Sequence, residues 1–360
     1  MNSSARLSDL SSLVRSLKAP VTTITQNTKS FIAGDAEGIV SAWSVSNGAP
    51  LWSINLEPSV SFMAFADGIV AIAHGASITA VNPNDGAIIW TIPVDGACDF
   101  VVFDEQSLWV TSSVYEIEIE DYVACRIMRI EPLRGVVEQS IPLPSKAWTL
   151  DAFGRGCILG LGRPQPGIYT ITSGKDDLYH LEDTPNAPIS HSSISSDNRM
   201  SFTTSDSQAI QIDQVGKIIG TAKGVALAGF THDGRWTTYN QNGETGSAEP
   251  DDEDLNGFPK HFTSTDEMTL LVTRKPDSSG TVFIGKKRMN WTHTSEITIV
   301  HSHLNRTVLG CLNGEILLLE DNVLKRRIVK SEFSEEDDSL IRARLRMLRF
   351  GDKSNTLEEK

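Results

Sequence analysis

Two stretches of the chain, AWSVSNGAPLW (residues 42–52) and AVNPNDGAIIW (residues 80–90), carry the same phrase. Each has an Ala, a Gly six residues on, and a Trp four beyond that. The offset is constant: Ala42 to Ala80, Gly48 to Gly86 and Trp52 to Trp90 are each 38 residues apart. A fixed period of this length is the mark of a chain built by stacking copies of one supersecondary unit.

The unit reads as strand–turn–strand. In the first copy VTTITQ is followed by KSFIAG, a turn at DAEG, IVSAWSV, a turn at SNG, and PLWSINL. Runs of β-branched and aromatic residues alternate with Gly, Asn and Asp, which accept the positive φ of tight hairpins. This predicts a four-stranded antiparallel unit over residues 21–56, and VSFMAF, IVAIAH, SITAVN and IIWTIPV repeat it. Similar quartets recur over residues 98–143 (lengthened by the acidic insert YEIEIEDY), 147–181, 187–220 and 297–329, where VLKRRIV reads as the last strand. Each sheet alone exposes two apolar faces, and stacking such sheets around an axis buries them. The expected fold is therefore all-β: a β-propeller of seven four-stranded antiparallel blades. Eight stays open, because residues 225–295 hold six strand-like runs, too many for one blade and too few for two.

The phrase carried by Ala42, Gly48, Trp52, Ala80, Gly86 and Trp90 resembles the blade repeat of quinoprotein-like propellers, with WD-repeat propellers as the wider group. The quinoprotein group includes the pyrroloquinoline quinone (PQQ) dehydrogenases and an outer-membrane assembly lipoprotein. Elsewhere only the Gly persists, at Gly135, Gly174 and Gly216, with Gln139, Leu178 and Gly220 at the Trp position. The resemblance implies a Trp packed between neighbouring blades. It also implies what an enzyme of the family would carry: a calcium site and an adjacent cysteine pair. Cys98, Cys125, Cys157 and Cys311 are far apart, and the first cysteine is too late to bear an N-terminal lipid. The phrase speaks for the fold rather than the activity.

Composition narrows the function classes. A formal net charge of −14 argues against a general nucleic-acid binder, and no apolar run is long enough to span a bilayer. Cysteines set in apolar runs without a CxxC pair point to a reducing cytoplasm. The Ser-rich N-terminus with Arg6 and Arg15 also admits a mitochondrial transit peptide, although Asp9 counts against one. Its plainer reading is an amphipathic helix within residues 1–20, with Leu7, Leu10, Val14 and Leu17 on one side. The propeller would then occupy residues 21–330, and a charged helix and tail residues 331–360.

Three features carry candidate chemistry. The stretch DDEDLNG sets Asp252, Asp254, Asn256 and Gly257 in the order of a calcium loop, but Thr263 replaces the bidentate Glu, so a solvated acidic loop is the simpler reading. His301 and His303 stand two apart on one strand, hence on one face, as metal ligands or as polar residues of the central channel. His293, just upstream, is a candidate neighbour of the pair. Beyond the last strand, Ile341, Leu345 and Leu348 form an apolar stripe beside a basic one of Arg342, Arg346 and Arg349, suited to a partner groove or to the propeller itself. No G-x-S-x-G elbow, phosphate-binding loop or H-E-x-x-H occurs. The expectation is a non-catalytic propeller without a cofactor, acting as a protein-interaction scaffold in a cytoplasmic assembly. The alternative is a propeller that uses its central channel to bind a small ligand or metal, or to act as an enzyme.

Overall fold

A computed structural model describes residues 4–66, 68–175, 177–246, 257–274, 278–284 and 287–328. The seven four-stranded antiparallel blades expected from the repeat are present, and the position left open is filled by a two-stranded sheet. We number the positions blades 1 to 8 by their innermost strands. These are Val21–Gln26, Val60–Ala66, Ala97–Phe103, Ala147–Ala152, Ile189–Ile194, Leu227–Phe230, Phe258–Ser264 and Ile297–His303. Each contacts the next, and the last returns to the first, so the ring is closed. At the closure Thr298 Oγ1 donates to the Val21 carbonyl (2.6 Å) and Gln26 Nε2 to the His301 carbonyl (2.9 Å). The six strand-like runs of residues 225–295 divide into the two-stranded blade 6, Leu227–Phe230 with Trp236–Tyr239, and the four strands of blade 7.

Innermost strands are crowded about the axis, and in every four-stranded blade that strand is bulged after its first residues. The register shifts fall at Val21/Thr23, Val60/Phe62, Cys98/Phe100, Ala147/Thr149, Ile189/His191, Pro259/His261 and Ile297/Ile299. A bulge adds local twist and re-aims one side chain, which lets flat strands fan around a centre. Apolar clusters fill the wedges between blades, as with Ile32, Val40, Trp52, Met63, Val70 and Ile72 between blades 1 and 2.

The repeated phrase acts across blades. Trp52 of blade 1 donates its Nε1–H to the Pro83 carbonyl of blade 2 (2.8 Å), and its ring covers Gly86. A Cβ on Gly86 would stand 2.8 Å from Trp52 Cδ2, and φ there is +73°. Trp90 repeats this on blade 3, bonding the Pro132 carbonyl (2.8 Å) and covering Gly135 at 2.7 Å from its would-be Cβ. Gly86 and Gly135 therefore each serve the Trp of the blade before. Where the Trp is missing, other side chains take over: Gln139 Nε2 donates to the Lys175 carbonyl, Leu181 rather than Leu178 faces Gly216, and Arg15 Nε donates to the Gly48 carbonyl (2.7 Å).

Both ends of the described chain depart from expectation. The helix expected within residues 1–20 is confined to Leu7–Leu10, whose two leucines are buried with Trp291 and Leu319. Ala5–Arg6 joins blade 7 as a fifth strand, parallel to Lys287–Thr292. Leu13–Ser16 is the fourth strand of blade 8, paired antiparallel with Glu315–Glu320 and alternating half-buried with exposed side chains. The apolar spacing that suggests a helix suits a strand here because pairing with residue 318 satisfies the backbone. Residues 323–328 of VLKRRIV are correspondingly not a strand: residues 321–328 are helical, and Val329 lies outside the described residues. Leu324 and Ile328, one helical turn apart, pack on Leu7 and Leu10, and the Arg327 guanidinium donates to the carbonyls of Asp9 and Ser11. N-terminal residues thus clasp blades 7 and 8 together.

Candidate interaction face

In an antiparallel meander successive turns fall on opposite ends. One face of the ring collects the connections between blades and the turns joining second to third strands. The other face collects the remaining turns.

Most sequence candidates are dispersed. Asp252, Asp254 and Asn256, and the tail residues Ile341, Arg342, Leu345, Arg346, Leu348 and Arg349, lie outside the described residues. His301 and His303 do share the innermost strand of blade 8, near the axis. His301 Nδ1 lies 3.3 Å from Gln26 Nε2, and burial together with His303 pushes its pKa down to about 4. Burial and the Arg306 charge lower His303 as well. His293 is not beside them: it lies four residues before that strand, its Nε2 3.4 Å from Cys311 Sγ and from a Glu315 carboxylate oxygen. Among the described residues no group of three or more His, Cys, Asp or Glu is placed to hold a metal ion. Two further histidines near the axis, His191 and His261, are held down to about 4 by burial, and His191 Nε2 has no hydrogen-bond partner. Asp151, pushed up by burial, accepts from Ser192 Oγ at 2.5 Å. Burial favours the neutral form of each of these histidines.

The surface that stands out is the hairpin of blade 3. Its second and third strands, Leu108–Glu116 and Asp121–Glu131, outrun both flanking strands: the last cross-pairs are Ala97 with Ser113 and Cys125 with Leu143. Beyond those pairs the two strands continue as a free ribbon, an arm on the connection face. Tyr115 and Tyr122 pair across it at 5.1 Å between ring centroids in edge-to-face geometry, which stiffens the ribbon. Val123 occupies a bulge, and the tip, residues 117–120, closes through Glu120 N–H donating to the Ile117 carbonyl (3.3 Å). Ile117 is 82% exposed and Ile119 59% exposed, well outside the usual range for isoleucine.

At the base of the arm Lys146 organises an aromatic platform. Its Nζ sits 4.5 Å from the centre of the Tyr122 ring and 5.5 Å from that of Trp148, while pairing with Asp99 at 2.8 Å. Burial disfavours the ammonium, but the hydrogen bond and charge of Asp99, with help from Tyr122, hold its pKa above the ordinary lysine value. Trp148, the bulge residue of blade 4, leaves 48% of its surface in solvent. Tyr115, Ile117, Ile119, Val123 and Trp148 together form an exposed apolar and aromatic surface on one sector of the ring. The sequence showed this hairpin only as an acidic insert. The signal that could have found it is Ile alternating with Glu between two tyrosines.

No family model matches the chain, and no curated relative matches it. Solved structures do. The computationally designed Ika8 protein superposes with a TM-score of 0.68 at 13% identity, over 85% of this chain and 98% of that one. The WD40 β-propeller domain of Doa1 superposes with a TM-score of 0.55 at 10% identity, over 86% of this chain and 96% of that one. At such identities the likeness is one of fold, and it carries nothing specific to quinoproteins. The chain is a β-propeller in the architecture it shares with these two proteins.

Proposed function

We propose that this protein is a non-catalytic interaction scaffold whose binding surface is the blade 3 arm with the Tyr122–Lys146–Trp148 platform beneath it. The observation that carries this reading is the arm itself: a stiffened hairpin projecting from a rigid ring, with two isoleucines at its tip and aromatic rings at its base. Apolar side chains that a monomer leaves in water on an ordered element are the usual core of a recognition surface, and aromatic anchors carry much of the binding energy there. A closed ring suits this use, since its loops vary over a frame that does not move. All four cysteines are unpaired, which supports a reducing compartment such as the cytoplasm. No helix among the described residues is long and apolar enough to cross a membrane.

The test is affinity capture from the source cells with the unaltered protein and with an Ile117→Ser, Ile119→Ser, Trp148→Ser variant. These side chains are exposed, so the variant should fold. Proteins captured by the parent should be absent from the variant. Identical capture by both would remove the arm from the account.

A further inference from the structure

We infer that the arm takes an extended peptide segment rich in Lys or Arg and carrying apolar anchors. This rests on the reading of the arm as the binding surface and names the chemistry of its partner. Three observations converge. First, the apolar positions are interleaved with carboxylates: Glu116, Glu118, Glu120 and Asp121 alternate with or flank Ile117 and Ile119. None of these four carboxylates forms an ion pair among the described residues, and only Asp121 meets a donor, the Tyr122 backbone N–H at 2.7 Å. Second, the cations beside the arm are engaged elsewhere, Lys146 by Asp99 and the two rings and Arg126 Nε by Ser140 Oγ, and neither pairs with a tip carboxylate among the described residues. A partner that buried Ile117 and Ile119 would draw those carboxylates out of water, which is favourable only if it brings positive charge to them. Third, the arm is open along its sides. Residues 114–116 and 121–124 lie past the last pairs with the first and fourth strands of the blade, leaving ribbon edges where an added strand can pair. A strand added there alternates its side chains, so apolar residues can meet Ile117 and the aromatic platform while cations face the glutamates. An acidic partner would meet like charge on a chain whose net charge is already −14.

The experiment is selection from a displayed library of random 12-residue peptides on the full-length protein. Enriched peptides are then measured by fluorescence anisotropy against the parent and two variants. One variant, Ile117→Ser with Ile119→Ser, removes the apolar tip. The other, Glu116→Gln, Glu118→Gln, Glu120→Gln and Asp121→Asn, removes charge while keeping size. The enriched peptides should carry net positive charge and large apolar residues, and each variant should weaken them by about tenfold or more, as expected when central anchors are lost. Affinity for the parent should fall as salt is raised, and should change little with salt for the neutralised variant. Peptides that need Ile117 and Ile119 but carry no positive charge and ignore the carboxylate variant would overturn this inference and leave the interaction reading standing. Enrichment that does not depend on either variant would overturn both.

Discussion

Replacing Gly86 with Ala tests how neighbouring blades are locked. Two costs are expected. The backbone at Gly86 is left-handed, with φ +73°, which charges a Cβ-bearing residue about 1–2 kcal/mol. The new Cβ would also stand 2.8 Å from the Trp52 ring, so ring or turn must shift, at about 1–3 kcal/mol for overpacking of this kind. Together Gly86→Ala should cost about 2–5 kcal/mol. Gly174 supplies the control: it occupies the equivalent turn of blade 4 with φ +81°, and a Cβ there meets nothing within 4 Å. Gly174→Ala should therefore pay the backbone cost alone, about 1–2 kcal/mol. Trp52→Ala removes a buried indole and leaves the Pro83 carbonyl without its donor, about 3–5 kcal/mol. In that background Gly86→Ala should shrink to its backbone part. The assay is equilibrium chemical denaturation followed by circular dichroism, read as a double-mutant cycle. Equal costs at Gly86 and Gly174, or strict additivity of Gly86→Ala with Trp52→Ala, would refute the cross-blade contact.

Leu7→Ala should destabilise by about 2–5 kcal/mol despite lying near the chain start, because Leu7 is fully buried between blades 7 and 8; a thermal melt unchanged from the parent would contradict the clasp. Stability should fall as pH drops from about 6.5 toward 4. His191, His261 and His301 bind protons in the unfolded chain near 6.5 but in the folded one only near 4, so each adds a slope of up to about 1.4 kcal/mol per pH unit across that window. Asp321, pushed up to about 6 chiefly by burial, works in the opposite sense there, so the histidine part is read from His191→Gln, which should flatten the profile relative to the parent; superimposable pH profiles of parent and His191→Gln would show that this ring is not buried neutral. Ile117→Ser with Ile119→Ser should leave denaturation midpoints within experimental scatter, since neither side chain packs on the ring; a loss above about 1 kcal/mol would mean the arm is structural.

The propeller was legible because its signals are local. The first blade is predicted over 21–56 and found over 21–55, and all six runs of residues 225–295 are strands. What local signals could not carry is pairing across the length of the chain. Leu13–Ser16 becomes a strand only because residues 315–318 leave it an edge, and residues 323–328 stay out of the sheet because that edge is taken. The spacing of Gly86 and Trp90 was readable, yet the ring that covers Gly86 belongs to Trp52, 34 positions earlier. The arm was read only as an acidic insert, because its reach depends on where the flanking strands stop. The aromatic platform depends on a lysine from the next blade.

The central claim, that binding occurs through the arm, is tested most directly by photo-crosslinking from two positions of equal exposure. Ile117 and Val215 are each 82% exposed, Val215 in a turn on the opposite face of blade 5. A benzophenone amino acid placed at position 117 and, separately, at position 215 should give adducts with a second macromolecule in source cells from 117 only. Adducts from 215 with none from 117 would contradict the claim.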